Sequence, residues 1–446
     1  MWSKYCIPFF GDYAVSDAND LEEAMLLIQN GYMIDPKTGR EGNYDILMDG
    51  DKITGIGKNL PCPGQNCEVI KGEGLLVAPG LVDVHVHFRE PGFVDKEDIM
   101  TGAAAAAKGG YTTVVMMANT NPRIDTEEVL RQVLDRGKET GIHVLSCANV
   151  TKGMKGRELT PMKELAAAGA VGFTDDGVPL MDEKIVRGAM VAAAALDMPV
   201  SFHEENPELI DNNGINRGRA SEHYGIGGSP REAEIDLIRR DLELALETGA
   251  CINIQHISTK EGVELVRRAR KRGPNIHAEA TPHHFTLTEE AAIRYGTLAK
   301  MNPPLREEAD RLEIIRGLAD GTIDIIATDH APHTGEEKGK PITEAPSGII
   351  GLETALALGI TRLVDGGYLT MGQLLRLMST NPAAMYHLDA GYLEEGGPAD
   401  VILVDPAAEW IPGEYASKAS NTPFTGWKLK GRVVRTICGG KTVWAD

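Results

Sequence analysis

Two kinds of hydrophobic pattern alternate along the middle of the chain. Continuous apolar runs occur at 81–87, 112–117, 142–148, 170–174, 199–203, 251–256, 275–281 and 323–328. Between most of them, apolar residues recur at helical spacing, at 95–108, 126–139, 161–168, 183–196, 230–248 and 259–271, and again after the last run at 351–365. Runs such as "TTVVMM", "CINIQ" and "TIDIIAT" lack the polar alternation of a half-exposed strand. They suit parallel strands buried on both faces under helices. Eight such repeats over roughly 310 residues predict an α/β fold, a (β/α)8 TIM-type barrel spanning 79–393. A doubly wound open sheet is the alternative, and no GxGxxG follows any of these runs to support it.

Shorter β-type runs, broken by Gly, Asp and Pro, flank this region. They include "AMLLIQNGYMID", "NYDILMDGDKITGIG" and "CEVIKGEGLLVAPG" before it, and "ADVILVD" and "GRVVRTICGGKTVW" after it. Neither set can bury a face alone, so residues 22–78 and 394–446 are expected to form one small composite β-sandwich domain. Residues 1–21 read as an irregular N-terminal arm.

Charge and cysteine content narrow the function. With 45 basic and 65 acidic residues among 446 the net charge is −20, which argues against nucleic-acid or anionic-membrane partners. No apolar run is long enough to span a membrane, and the N-terminus lacks a basic start followed by an apolar stretch, so a cytoplasmic protein is expected. The six cysteines are scattered without a CxxC pair and read as reduced, mostly buried thiols, with Cys62 and Cys67 able to pair in a surface loop.

The chemistry collects at the C-terminal ends of the predicted strands, where barrel sites are built. The first run, "LVDVHVHFREPG", ends with His85 and His87 on one face of the strand, about 6.5–7 Å apart along it. Two imidazoles side by side are costly as plain core and make sense around a cation. Asp175 and Asp176 close the fourth run, His203 the fifth, His256 the sixth and Asp329 the eighth. Such N/O donors suit Zn2+ or a similar divalent ion, and the donor count suits a pair of ions bridged by a carboxylate with an activated water between them. Spacing does not choose between Asp175 and Asp176. His143, His223, His277 and His387 read as ordinary structural histidines, and His283 and His284 in "TPHHFTLT" as residues supporting the site from behind.

The stretches "DVHVHFREPGFVDKEDIMTG", "MMANTNP", "GFTDDG", "TPHHFTLT", "MNPPLR", "ATDHAPHT" and "EAPSGIIGLETAL" occur here in an order that closely resembles dihydroorotase, a family of the metal-dependent amidohydrolase superfamily. The resemblance runs from about residue 45 to the C-terminus. It implies His85, His87, His203, His256 and Asp329 as metal ligands and Asp329 as the catalytic acid–base. Where many superfamily members carry a carbamylated lysine, this chain has Thr174-Asp175-Asp176-Gly177, as in the dihydroorotase type with a bridging aspartate, and alignment with that type favours Asp176. The resemblance also implies substrate contacts from Arg89, Asn119, Asn302 and His333. The family usually has a proline just before that first asparagine, where this chain has Ala118.

The implied activity is reversible hydrolysis of L-dihydroorotate to N-carbamoyl-L-aspartate, the ring-closure step of pyrimidine synthesis run backwards, with one or two Zn2+ ions. Arg89 suits a substrate carboxylate as a two-pronged donor, and the Gly/Pro-rich segment 333–348 suits a lid. Hydantoinase, dihydropyrimidinase and allantoinase are the rival enzymes, but they match "HFREPG", "NPPLR" and "DHAPH" less well. Catalytically silent scaffold relatives typically lose ligands that this chain retains. A homodimer and an association with aspartate transcarbamoylase are further expectations of the resemblance.

Overall fold

Apolar runs that alternate with helices place their strands in parallel register, and this is what the computed structural model contains; it describes residues 25–63 and 66–446. The arm expected at 1–21 lies outside the described residues. Leu81–Val86, Tyr111–Met116 and His143–Ser146 pair in that order, all parallel. Val200–Phe202, Ile252–Ile254, Ile276–Ala280 and Ile325–Ile326 form a second parallel set. The fourth expected run is reduced to Phe173, which bridges in parallel to Ala148 on one side and Val200 on the other. A further parallel bridge joins Val86 to His330. Every residue of Leu81–Val86 and Tyr111–Met116 is buried, as their unbroken apolar character requires.

The helices between these strands start where the sequence supplies a capping side chain. Asp98, Thr126, Asp182 and Thr259 each accept a backbone N–H of the first turn, heading Ile99–Lys108, Glu127–Gly137, Glu183–Ala195 and Lys260–Arg270. Met162–Ala167 and Arg231–Thr248 complete the expected series. The stretch expected at 351–365 is Ala355–Gly359 continued by a π-helical turn, Ile360–Val364. The longest helix beyond the sequence reading is Glu308–Asp320. Its inward positions include Gly317 and the carboxylate Asp310 beside Ile314, Ile315 and Leu318, which blurs the apolar stripe. Asp310 is buried because Arg231 reaches it at 2.8 Å.

Strands from both ends of the chain share one sheet. Its order runs Lys441–Ala445, Leu429–Cys438, Val401–Trp410, Leu76–Pro79, Met25–Asp35, Arg40–Asp49, Lys52–Gly57, with Cys67–Lys71 also paired to Met25–Asp35. Period-two alternation divides its residues. Val77, Val401, Leu403 and Ile437 join a separate apolar cluster with Leu26, Ile46 and Ile53, whereas Leu76, Ala78, Ile402 and Val404 pack into the main core with the parallel strands. Ile53 and Ile437, from opposite ends of the strand order, share that separate cluster, so the sheet curls over on itself. Lys52 bridges back to Pro398.

One expectation is corrected here. Cys62 and Cys67 form a disulfide, with their Cα atoms 5.8 Å apart, and are not reduced thiols. The two sulfurs, five residues apart in sequence, lie within bonding reach, which spacing on its own left open. Cys147 and Cys438 are free and buried, and Cys251 is free and half-buried. No helix among the described residues is long and apolar enough to cross a membrane.

Candidate functional site

Strand ends deliver nearly every expected donor to one cavity of about 170 Å³. Its wall includes His87, Arg89, Asn119, Asp176, Gly177, His203, His256, Asn302, Asp329 and His333. His85 sits directly beneath, fully buried, its ring centroid 5.3 Å from that of His87 and 5.2 Å from that of His256.

The two aspartates left open by spacing part company. Asp175 turns away from the cavity and accepts from Val150 N at 2.9 Å, Asn149 Nδ2 at 3.2 Å and the Thr151 hydroxyl, pinning the preceding loop. Asp176 turns inward. Its Oδ1 lies 3.6 Å from His85 Nε2, 3.7 Å from His203 Nδ1 and 3.6 Å from His256 Nε2, while its Oδ2 lies 3.4 Å from His87 Nε2. Gly177 follows at φ 84°, a left-handed turn that an L side chain resists. Asp329 Oδ1 completes the ring, 3.0 Å from His87 Nε2 and 3.5 Å from His85 Nε2.

These donors fit a divalent ion. His85 Nε2 and Asp176 Oδ1, which face each other, are buried with no hydrogen-bond partner, a costly state that a shared cation relieves. His85, Asp176 and His256 form one group of mutually close ligand atoms, and His85, His87 and Asp329 another, so the two share His85. Asp176 presents one oxygen to each side.

Burial and neighbouring carboxylates pull the imidazoles of this ring in opposite directions. Burial alone would depress His85, yet Glu279 and Asp176 raise it well above the ordinary histidine range. Burial likewise opposes charge on His203, but Asp176 and Glu205 push it up to about 10. Asp329 is held well below the usual carboxylate range: burial would raise it, but the His87 hydrogen bond and the neighbouring imidazoles outweigh that. Around these imidazoles the carboxylates Asp176, Glu279 and Glu205 outweigh the cost of burial.

The expected substrate contacts differ in how free they are. Arg89 gives its Nε to Pro332 O at 3.2 Å, and its Nη2 lies 3.4 Å from His333 Nε2 at the cavity wall. It forms no ion pair with a carboxylate among the described residues, so it is a half-buried cation able to take an anion. Asn302 Oδ1 is likewise buried without a partner. Asn119 is already engaged: His87 Nδ1 donates to its Oδ1 at 3.1 Å, and its Nδ2 donates to the Asp176 carbonyl at 3.3 Å. That bond fixes the His87 ring and turns Nε2 inward. His333 hydrogen-bonds Ser347 O at 2.9 Å; burial and the charges of Arg89, Lys338 and Lys96 push it down to about 3, so it is neutral at neutral pH.

Three further features were not foreseen. Glu279 is fully buried, meets His85 Nδ1 in a short hydrogen bond and accepts from Asn253 Nδ2 at 2.9 Å. An acidic residue within the apolar strand "IHAEA" was its sequence signal. Asp83, buried two residues before His85, accepts from His85 N at 3.0 Å and Thr328 N at 3.2 Å. Arg89, His256 and Asp329 also adopt positive φ (63°, 33° and 47°), backbone strain gathered at one cavity. His283 and His284 lie on the short helix Pro282–Thr286 behind the ring, where His284 bonds Thr281 and Pro303 O. His277 and His143 pair with Asp324 and Asp400, away from the cavity.

The segment 333–348 is fastened by two ammonium groups. Lys338 Nζ donates to Pro346 O and Gly348 O, both at 2.9 Å, and Lys300 Nζ to Ile342 O at 2.7 Å and Ala345 O at 2.6 Å. Burial pushes Lys338 down from 10.5 to about 7. The folded chain therefore binds fewer protons there than the unfolded chain between these values, and this group adds stability as pH rises through that window. In Lys338→Met the pH dependence of the denaturant midpoint should flatten across that window; a slope identical to that of the unaltered protein would contradict the assignment.

The comparisons with known proteins agree with this geometry. A family profile described as "Dihydro-orotase-like" matches residues 74–262. "Dihydroorotase" of Clostridioides difficile (strain 630) is 52% identical over 420 residues, covering 94% of this chain and 100% of that protein. "Dihydroorotase" of Clostridium acetobutylicum is 51% identical over 424 residues, covering 95% and 100%. Among solved structures, a D-hydantoinase (dihydropyrimidinase) from Thermus sp. superposes with a TM-score of 0.82 at 25% identity over 94% of this chain and 95% of that one. An L-hydantoinase (dihydropyrimidinase) from Arthrobacter aurescens gives a TM-score of 0.85 at 24% identity, over 94% and 96% respectively. A TIM-barrel-type cyclic amidohydrolase fold, a ring of imidazoles and carboxylates around one cavity, and half-identical relatives over nearly the whole length lead to one conclusion: this chain belongs to the dihydroorotase family.

Proposed function

We propose that the chain catalyses reversible hydrolysis of L-dihydroorotate to N-carbamoyl-L-aspartate, holding one or two Zn2+ ions with His85, His87, Asp176, His203, His256 and Asp329. The single observation that carries this is the Asp176 carboxylate set between two imidazole groups on the floor of a cavity that Arg89 also lines. A divalent ion held by these residues would supply Lewis acidity, lowering the pKa of the attacking water and polarising the scissile carbonyl. Asp329, ionised and hydrogen-bonded to His87, takes the proton from that water. As the new C–O bond forms and the ring C–N bond breaks, the same carboxyl passes its proton to the departing ureido nitrogen. Arg89 and Asn302 bind the substrate carboxylate and ring amide, with His333 beside them as a neutral imidazole, and Asn119 orients His87 while facing the cavity. Segment 333–348 acts as the lid.

The parallel bridges from Ala148 through Phe173 to Val200, and from Val86 to His330, support closure of the eight runs into one (β/α)8 barrel over 79–393. Residues 22–78 and 394–446 then constitute the composite β domain, and the enzyme works in pyrimidine biosynthesis in the cytoplasm.

Assays of dihydroorotate, hydantoin and allantoin side by side test the substrate. Dihydroorotate should be turned over fastest, and Arg89→Lys, which loses the two-pronged fork, should raise KM more than it lowers kcat. Equal turnover of hydantoin would overturn the assignment.

A further inference from the structure

A second cluster of ligand-type side chains lies at the opposite ends of the parallel strands. His143 opens the strand His143–Ser146, whose far end leads to the active site. Asp400 directly precedes Val401–Trp410, and Cys438 closes Leu429–Cys438 in the composite sheet. The three residues therefore meet at the seam between the parallel strands and that sheet. His143 Nε2 is 3.1 Å from Asp400 Oδ2, and one ligand atom from each of His143, Asp400 and Cys438 falls within 4.8 Å of the other two. Gly439 N donates to Asp400 Oδ1 at 2.8 Å, which turns Oδ2 toward the imidazole. Asp400 and Cys438 are buried, whereas the His143 side chain is 51% exposed, beside a cavity of about 510 Å³ that His143 and Cys438 help to line.

A comparable trio elsewhere shows what sets this one apart. His277 lies 2.8 Å from Asp324 near Cys251, but Arg270 already neutralises Asp324 at 2.8 Å. Asp400 has no Lys or Arg ion pair among the described residues. Its Oδ1 accepts from Gly439 N and its Oδ2 faces the imidazole, while the Cys438 thiol beside it donates to Thr112 O at 3.6 Å. Tetrahedral zinc with N, O and S ligands has donor–donor edges of roughly 3.3–3.8 Å, so the 3.1 Å imidazole–carboxylate edge needs to open slightly and the edges to sulfur, within 4.8 Å, need at most a modest closure.

We propose that His143, Asp400 and Cys438 form a second divalent-metal site, for a thiophilic borderline ion such as Zn2+ or Cd2+, that ties the composite sheet to the parallel strands. Binding displaces the thiol proton to solvent, and a water from the adjoining cavity supplies the fourth ligand. The site is independent of the catalytic ring, whose donors include no sulfur.

That difference provides the test. Full-length protein stripped by a chelator is titrated with Co2+, and the near-ultraviolet absorption of a thiolate–cobalt bond is followed alongside metal content. The expected result is a thiolate band in the unaltered protein and in Cys251→Ser, its loss in Cys438→Ser, and at least about tenfold weaker Co2+ binding at this site in His143→Ala. Hydrolysis supported by the catalytic ring should persist in all three variants and certifies their folding. His143→Ala, at a half-exposed position, decides the matter should Cys438→Ser fail to fold. No thiolate band in the unaltered protein, a band that survives Cys438→Ser, or unweakened binding in His143→Ala would overturn the proposal.

Discussion

Asp329→Asn should lower kcat by about 10²–10⁴-fold while dihydroorotate still binds within a few-fold of its normal affinity. The substitution removes the proton acceptor and exchanges an anionic donor of the ring for a neutral amide. Asn fills the same volume and is among the side chains that best tolerate the left-handed backbone Asp329 adopts, at φ 47°. The carboxylate is held ionised by His87 and the other imidazoles, so over the neutral range it is available as a base. Steady-state rates, calorimetric binding of dihydroorotate and metal content measured together separate loss of the base from loss of the ion. A variant that kept kcat within a few-fold would show that another group moves the proton.

The second large effect distinguishes two adjacent aspartates. Asp176→Ala should lower metal affinity by at least roughly 10–100-fold, the cost of losing even an outer partner of a ligand, and abolish turnover with it. It leaves His85, His203 and His256 without their common anion. Asp175→Ala should do the reverse. It strands the buried donors of Val150, Thr151 and Asn149, costing about 1–3 kcal/mol of stability, while metal content stays near normal. Elemental analysis and denaturant unfolding of the two variants read this out, and loss of metal in Asp175→Ala alone would reverse the assignment.

The parts of this architecture legible in the sequence are those written in local periodicity. Leu81–Val86 and Tyr111–Met116 are buried on both faces, so their unbroken apolar letters translate directly into parallel strands. The His-x-His pair follows from the same geometry, since alternate residues share a face. What escaped depends on partners distant in sequence. Glu279 looks like a misplaced charge in a strand until His85, 194 residues away, is seen to need it. Asp310 hides the helix Glu308–Asp320 because its partner Arg231 lies 79 residues earlier. The choice between Asp175 and Asp176 turns on which carboxylate the loop at Val150 and Thr151 captures. Asn119, a substrate contact by resemblance, lines the cavity, and the bonds its amide makes to His87 and the Asp176 main chain were not visible in the sequence.

Anomalous scattering at the zinc edge from a crystal of the zinc-loaded full-length protein asks whether the ring of imidazoles and carboxylates encloses a divalent ion. One or two peaks are expected within about 2.0–2.2 Å of donor atoms from His85, His87, Asp176, His203, His256 and Asp329. A zinc-replete crystal with no peak inside that ring would contradict that expectation.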